Sequence, residues 1–358
     1  MIRPADALVS PAIPCRIALI AAILACAVVS ARAAPGSTEL TLRPGVGVQF
    51  HCTWSHYTDA KRRAVAARLA AAGVKSVRID LGWSSFQPHG PRRIDPWYRR
   101  LADRCVSIAR AQGMEVLATI MWTPSWANGG RAATVPPTRV ADFARFARWA
   151  ARRFRGRVAA WEIWNEPEGA NFWRGTPARY ARMLRAAYPA IKAGDPNAKV
   201  VFAGISNNSP RWVAAAYRAG AKGAFDVMAA HPYWGDQPPD ADTGDAWLRA
   251  HASQLHELMA SHGDGSKPIW FTEFGWSVHD NTPGTPPHRR GVTHEHQAQY
   301  LVRAIAVMRV HYPYVEKAFW YKDASRPGEP VHESGYGLLR TDLAPRPAYS
   351  AMKTLLLP

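Results

Sequence analysis

At 358 residues and 47% hydrophobic content the chain reads as an ordinary globular protein, long for a single core but within the range of an α/β barrel. Its formal charge of +18 favours polyanions, but the arginines are spread over helical stretches and form no block of the kind that marks a nucleic-acid arm. Four cysteines without a Cys-x-x-Cys or a spaced Cys/His set exclude a structural metal site, and no metal or cofactor is expected.

The first 33 residues have a polar start ending at Arg16, an apolar run over 17–29, and the ending Ser30-Ala31-Arg32-Ala33. That run is short for a bilayer span, and the Ala-x-Ala ending fits signal peptidase. The expectation is a signal peptide over 1–33, a catalytic domain over 34–358, and an exported protein, periplasmic or secreted, with an uncleaved anchor as the alternative. Removing Arg3, Arg16, Arg32 and Asp6 leaves a mature charge of +16. Such a charge admits an acidic polymer or an anionic membrane surface as partner; GC-rich coding with a solvated basic surface is the other reading. No nucleic-acid partner is expected, and a monomer is. Of the cysteines, Cys52 and Cys105 remain after the leader. One disulfide in an oxidising compartment and two free buried thiols are both open.

From Gly45 onward, strand and helix patterns alternate. Strands are expected over 46–51, 74–81, 114–122, 158–164, 199–205, 225–231, 268–274 and 315–321. Helices are expected over 59–72, 96–112, 139–154, 177–193, 210–219, 245–261, 293–310 and 346–356, several opened by a capping residue and proline such as Thr176-Pro177. Eight such units without a composition break predict one α/β domain, a single (β/α)8 TIM barrel. An open doubly wound sheet would need a switch point that the pattern lacks.

Two strands end on glutamate. The run ending Trp161-Glu162-Ile163-Trp164-Asn165-Glu166-Pro167 must stop at its proline, which delivers Glu166 at the strand tip. Ile269-Trp270-Phe271-Thr272-Glu273-Phe274-Gly275-Trp276 does the same with Glu273. Strands four and seven face each other across an eight-stranded barrel, so these carboxylates can converge over its axis. One acid and one nucleophile or base so placed are what glycosidic cleavage requires. One difficulty is that strict alternation sets Asn165 and Glu166 on opposite sides unless the strand is irregular there.

Further residues gather at the same level. In His231-Pro232-Tyr233, Tyr233 is placed to hold Glu273 ionised and His231 to contact a sugar hydroxyl. Arg78 and Asp80 share one side of the second strand, and an arginine inside a barrel needs a carboxylate, Glu162 or Glu273. Trp83, Trp122, Trp126, Trp173, Trp234, Trp276 and Trp320 fall at or just past strand ends, and three or four are expected to line sugar subsites. His294-Glu295-His296 looks metal-like but opens a helix after Thr293, and is read as a solvated first turn.

With these residues in hand, the sequence resembles the retaining glycoside hydrolases of clan A over nearly the whole mature chain. The resemblance rests on Trp164-Asn165-Glu166-Pro167, Phe271-Thr272-Glu273-Phe274-Gly275, His231-Pro232-Tyr233, and the tail from Gly335-Tyr336-Gly337 through Pro345-Arg346-Pro347. Within the clan it is most similar to family 39, and to bacterial periplasmic endoglycosidases encoded with biofilm-exopolysaccharide synthesis; Val77-Arg78-Ile79-Asp80-Leu81-Gly82-Trp83 supports this. The resemblance implies Glu166 as acid/base, Glu273 as nucleophile, Asn165 as donor to a sugar 2-hydroxyl and Trp320 as a platform under the reacting sugar. It implies endo hydrolysis of an exopolysaccharide. A non-catalytic glycan-binding or secretion-scaffold protein on the same barrel is the alternative.

Overall fold

The computed structural model describes residues 44–206, 209–233, 235–241 and 249–357. The expected signal segment, Trp234 and the start of the helix expected over 245–261 fall outside them. Eight parallel strands close a barrel in sequence order: β1 Gly45–Gln49, β2 Ser76–Gly82, β3 Glu115–Met121, β4 Ala160–Asn165, β5 Lys199–Ser206, β6 Met228–His231, β7 Ile269–Phe274 and β8 Val315–Trp320. Closure is direct, with β8 pairing to β1 from Gly45↔Lys317 to Val48↔Trp320. Each strand is followed by a helix: α1 Asp59–Ala71, α2 Pro96–Ala111, α3 Val140–Arg153, α4 Pro177–Gly194, α5 Pro210–Arg218, α6 Leu255–Ser261, α7 His294–His311 and α8 Pro347–Leu356. Before α6 the stretch Arg249–Gln254 is π-helical, so the helix expected there is shorter than its pattern suggests.

Local chemistry sets the helix starts. Thr58, Asp95, Thr176 and Thr293 accept from the backbone N–H three residues on, and proline opens α2 and α4. His294 and His296 therefore form the first turn of α7, as expected. The main core lies between strands and helices and contains Phe143, Phe146, Ala147 and Ala150 of α3, packed around Trp83.

Cys52 and Cys105 form a disulfide, with Cα atoms 5.7 Å apart, which ties the loop after β1 to α2. The structure thus decides between the two readings left open by the sequence.

Inside the barrel, side chains form two layers. The lower one is apolar: Leu117, Ala160, Val201, Val227, Ala229, Trp270 and Phe319. One step of period two further up the same strands stand Thr119, Glu162, His231, Thr272 and Tyr321. The site is built on this upper layer.

Candidate active site

Arg78 is the centre of the upper layer. It is 1% exposed and donates from Nε to Glu162, from Nη1 to Gln49 and Glu273, and from Nη2 to Asn165, each at 2.7–2.8 Å. Burial opposes its charge, but Glu162, Glu273 and Asp80 outweigh that and hold it above the ordinary arginine value. The sequence allowed Glu162 or Glu273 as its partner; the fold supplies both.

Glu162 is fully buried and receives hydrogen bonds from Arg78, Thr119, Thr272 and the Gly204 amide. Burial pushes its carboxyl up, yet Arg78, His231 and the two threonines keep it below the usual range, so it is ionised.

That settles a proton further along. The Thr272 hydroxyl donates to Glu162, so its oxygen accepts from His231 Nε2 at 3.0 Å. With Nε2 protonated, Nδ1 faces Glu166 Oε1 at 2.9 Å, and one proton must lie between them. The pair is either neutral imidazole with a carboxylic acid or imidazolium with a carboxylate. Burial lowers the proton affinity of His231, while Glu273 and Glu166 outweigh it and raise its value overall. Gly204 makes room for this ring: a Cβ there would stand 2.0 Å from His231 Nε2.

Glu273 is held differently. One oxygen accepts from Arg78 at 2.7 Å and the other from the Tyr233 hydroxyl at 2.8 Å. Both bonds are made to the carboxylate form. An oxygen of Glu166, one of Glu273 and a ring nitrogen of His231 lie within 4.8 Å of one another.

The difficulty over Asn165 and Glu166 is resolved by backbone strain. Trp164 and Glu166 have φ of 77° and 40°, left-handed values that cost a non-glycine residue about 1–3 kcal/mol each. The ladder to β5 keeps its register, Ile163↔Phe202 and Asn165↔Gly204, so no bulge is inserted. Instead the alternation reverses at Trp164, whose ring packs outward on Phe143 and Trp173. Asn165 meets Arg78 and Glu166 meets His231 on the inner side. Because the Asn165 oxygen is taken by Arg78, its amide N–H groups are the atoms left for a ligand.

A hollow of about 400 Å³ opens over these groups, bordered by His51, Trp54, Asp80, Trp122, Asn165, Glu166, Phe172, Glu273 and Tyr321 among others. Asp80 accepts from Gln49 at 3.1 Å, and burial raises its carboxyl against the pull of Arg78.

The tryptophan expectation is corrected here. Trp83, Trp276 and Trp320 are at most 1% exposed and Trp173 is 2% exposed. Trp83 stacks on Phe146; Trp276 and Trp320 donate to the carbonyls of Gln237 and Tyr336. A ring without exposed surface offers no platform to a sugar, so Trp83, Trp276 and Trp320 support the cleft from behind. Trp126, half-buried, donates to the Gln87 carbonyl. Of the seven strand-end rings, Trp122 borders the hollow, stacked against Phe172.

Several residues at the site were not among those that the sequence singled out. His51 ends the expected first strand and its Nδ1 meets Asp323 at 3.0 Å, while Tyr57 donates to the same carboxylate. Tyr321, one residue past Trp320, takes the position in the hollow that had been expected of Trp320. Glu168 is raised to about 8 by burial and by Glu166, two residues away. A period-two pattern continued past each strand end would have found Tyr321; nothing local distinguishes His51 from a core histidine.

The family model described as cellulase, glycosyl hydrolase family 5, matches residues 42–315. Solved structures share the barrel. A family 39 glycoside hydrolase from the gut symbiont Bacteroides cellulosilyticus is 23% identical with a TM-score of 0.71, over 88% of this chain and 64% of that one. A family 5 enzyme from Streptomyces cattleya, in complex with Manβ1-4GlcNAc, is 20% identical with a TM-score of 0.67, over 87% and 80%. A monomeric β-xylosidase from Caulobacter crescentus is 17% identical with a TM-score of 0.66, over 88% and 68%. The chain thus spans less than two thirds of the first of these. No curated protein matches it significantly by sequence.

Proposed function

This chain belongs to the cellulase family, glycosyl hydrolase family 5, and we propose that it cleaves a polysaccharide from within, with retention of configuration, using Glu166 as acid/base and Glu273 as nucleophile. It is a glycoside hydrolase on a single (β/α)8 barrel, of the clan to which its motifs pointed. The observation that carries the assignment of roles is the unequal surroundings of the two carboxyl groups. Glu166 shares a proton with His231, whereas Glu273 receives two donors and has none to give.

In the first step a Glu273 oxygen attacks the anomeric carbon while Glu166 delivers its proton to the departing glycosidic oxygen. The products are a glycosyl ester of Glu273, a shortened polymer with a new hydroxyl, and Glu166 as carboxylate. Forming the ester removes the charge of Glu273, and Arg78 stays balanced by Glu162. In the second step Glu166 takes a proton from water, whose oxygen attacks the same carbon and frees Glu273. The two inversions give net retention. The carboxyl spacing within 4.8 Å supports this route, since retaining pairs stand about 5–5.5 Å apart and inverting pairs about 6.5–9.5 Å. Asn165 is positioned to donate to the sugar 2-hydroxyl, and Trp122 and Tyr321 to wall the reacting unit.

Proton NMR of the first product formed from an oligosaccharide tests the route: the retained anomer is expected, and an inverted one rules out a glycosyl ester. Chain-length analysis tests endo action, with products of mixed length expected before monosaccharide. An exported enzyme acting on bacterial exopolysaccharide is our reading of its setting. The leader-like 1–33 and the Cys52–Cys105 disulfide support export, because such bonds persist in oxidising compartments. Cell fractionation with amino-terminal sequencing checks it, with a mature start at Ala34 expected.

A further inference from the structure

Beside the catalytic hollow lies a second one of about 450 Å³, bordered by Trp54, Ser55, His56, Arg326, Pro327 and Gly328. Trp54 borders both hollows, so they are neighbours along the β1 and β8 loops. We propose that this second hollow is a subsite for an acidic sugar, a uronic acid unit whose carboxylate is received by Arg326. The inference rests on the glycosidase reading above and adds the substrate class.

The Arg326 side chain is exposed and lies over the Trp54 ring, Cζ 5.2 Å from the ring centre. Stacking of this kind fixes the guanidinium plane and leaves its N–H edge free. Among the described residues no carboxylate pairs with it. The carboxylates nearby are engaged elsewhere: Glu329 with Lys322 and the Arg326 amide, and Asp323 with His51 and Tyr57. Lys322 also lies near the Trp54 ring, at 5.5 Å, with its charge met by Glu329. Arg326 is thus the cation at this rim whose charge is unmet, and a planar carboxylate fits its fork with two hydrogen bonds.

His56 supplies the second contact. Its Nε2 is buried without a hydrogen-bond partner, and a turn of the ring toward the hollow would bring that atom to a ligand hydroxyl. Burial, Lys61 and Arg326 keep the ring neutral, so it offers a hydrogen bond without competing for the carboxylate. The net charge of +18 spreads over the whole chain; here one local unpaired cation gives it a use next to the catalytic groups.

The test compares glucuronan, mannuronan and galacturonan oligosaccharides with the same oligosaccharides after carboxyl reduction. The expected preference of the wild type is for at least one acidic member over its reduced partner. In Arg326→Ala the ratio of acidic to neutral kcat/KM should fall about 10- to 100-fold, the range for losing hydrogen bonds to a charge. Arg326→Lys should restore part of it. Binding to Glu273→Gln by calorimetry, with and without Arg326→Ala, repeats the comparison without turnover. An unchanged ratio, or equal losses for acidic and neutral oligosaccharides, overturns the subsite and leaves the glycosidase reading standing. Absence of hydrolysis of every oligosaccharide in the wild type strikes that reading instead, and the binding comparison still decides Arg326.

Discussion

The two ends of the barrel lumen are made by the same strands and do opposite things. At the lower end Leu117, Ala160, Ala229 and Trp270 close the lumen with apolar contact. One inward step higher, Thr119, Glu162, His231 and Thr272 form a hydrogen-bonded network fed by Arg78. A larger hollow, about 860 Å³, opens at the lower end, where Lys199 pairs with Glu316 and Lys317 with Glu115. The smaller hollow at the upper end holds two carboxyl groups in unequal surroundings, Glu166 against His231 and Glu273 between Arg78 and Tyr233. What distinguishes the site from the recess is the convergence of carboxyl groups and their proton partners over the strand ends, and size is a poor guide to it.

Substitutions at the two ends should therefore separate chemistry from stability. The largest effect is expected for Glu273→Gln, which removes the attacking oxygen: turnover falls by about 10⁴-fold or more with oligosaccharide affinity retained, measured by steady-state kinetics beside calorimetry. Retention of turnover would place the nucleophile elsewhere.

Glu166→Gln comes next, with a loss of about 10²–10⁴-fold on a natural glycosidic bond. Substrates whose aryl leaving group needs no proton should be cleaved with a much smaller loss in the first step. The same variant moves a second observable. His231 has a raised value in the fold, so its imidazolium contributes stability in full below the ordinary 6.5, and that contribution is lost as pH rises through the raised value. Imidazole NMR should show a His231 midpoint above 6.5 in the wild type and a downward shift in Glu166→Gln.

Gly204→Ala tests the support alone. The added carbon must displace the buried His231 ring, so misplacing the proton partner of Glu166 by about 1 Å should lower kcat by up to ~10²-fold, beside an overpacking cost of about 1–3 kcal/mol in denaturant unfolding. Unaltered kinetics would show that His231 does not position Glu166.

At the lower end, Phe319→Ala should leave kcat/KM of the folded enzyme unchanged while costing about 3–5 kcal/mol in denaturant unfolding. Loss of activity without loss of stability there would erase the distinction between the two ends.

What the sequence by itself determined was the order of eight strand–helix units and the two glutamates at the tips of β4 and β7. Both follow from local chemistry: hydrophobic period, capping residues, and the proline that ends β4. It also placed Arg78 inside the barrel, since a charge in an apolar strand demands a partner. The tertiary structure alone decided which rings are walls and which are packing. Trp83, Trp276 and Trp320 have the same local signature as Trp122, and only the neighbouring helices and loops decide whether a face meets solvent. It likewise decided the Cys52–Cys105 bond and brought His51 and Asp323 together across 272 residues. The proton between Glu166 and His231 was illegible for the same reason. It depends on a chain of hydrogen bonds through three strands, from Glu162 to Thr272 to His231, and on a reversal at Trp164 that no alternating pattern contains. Period and capping are properties of neighbours in the chain, whereas proton placement is a property of neighbours in space.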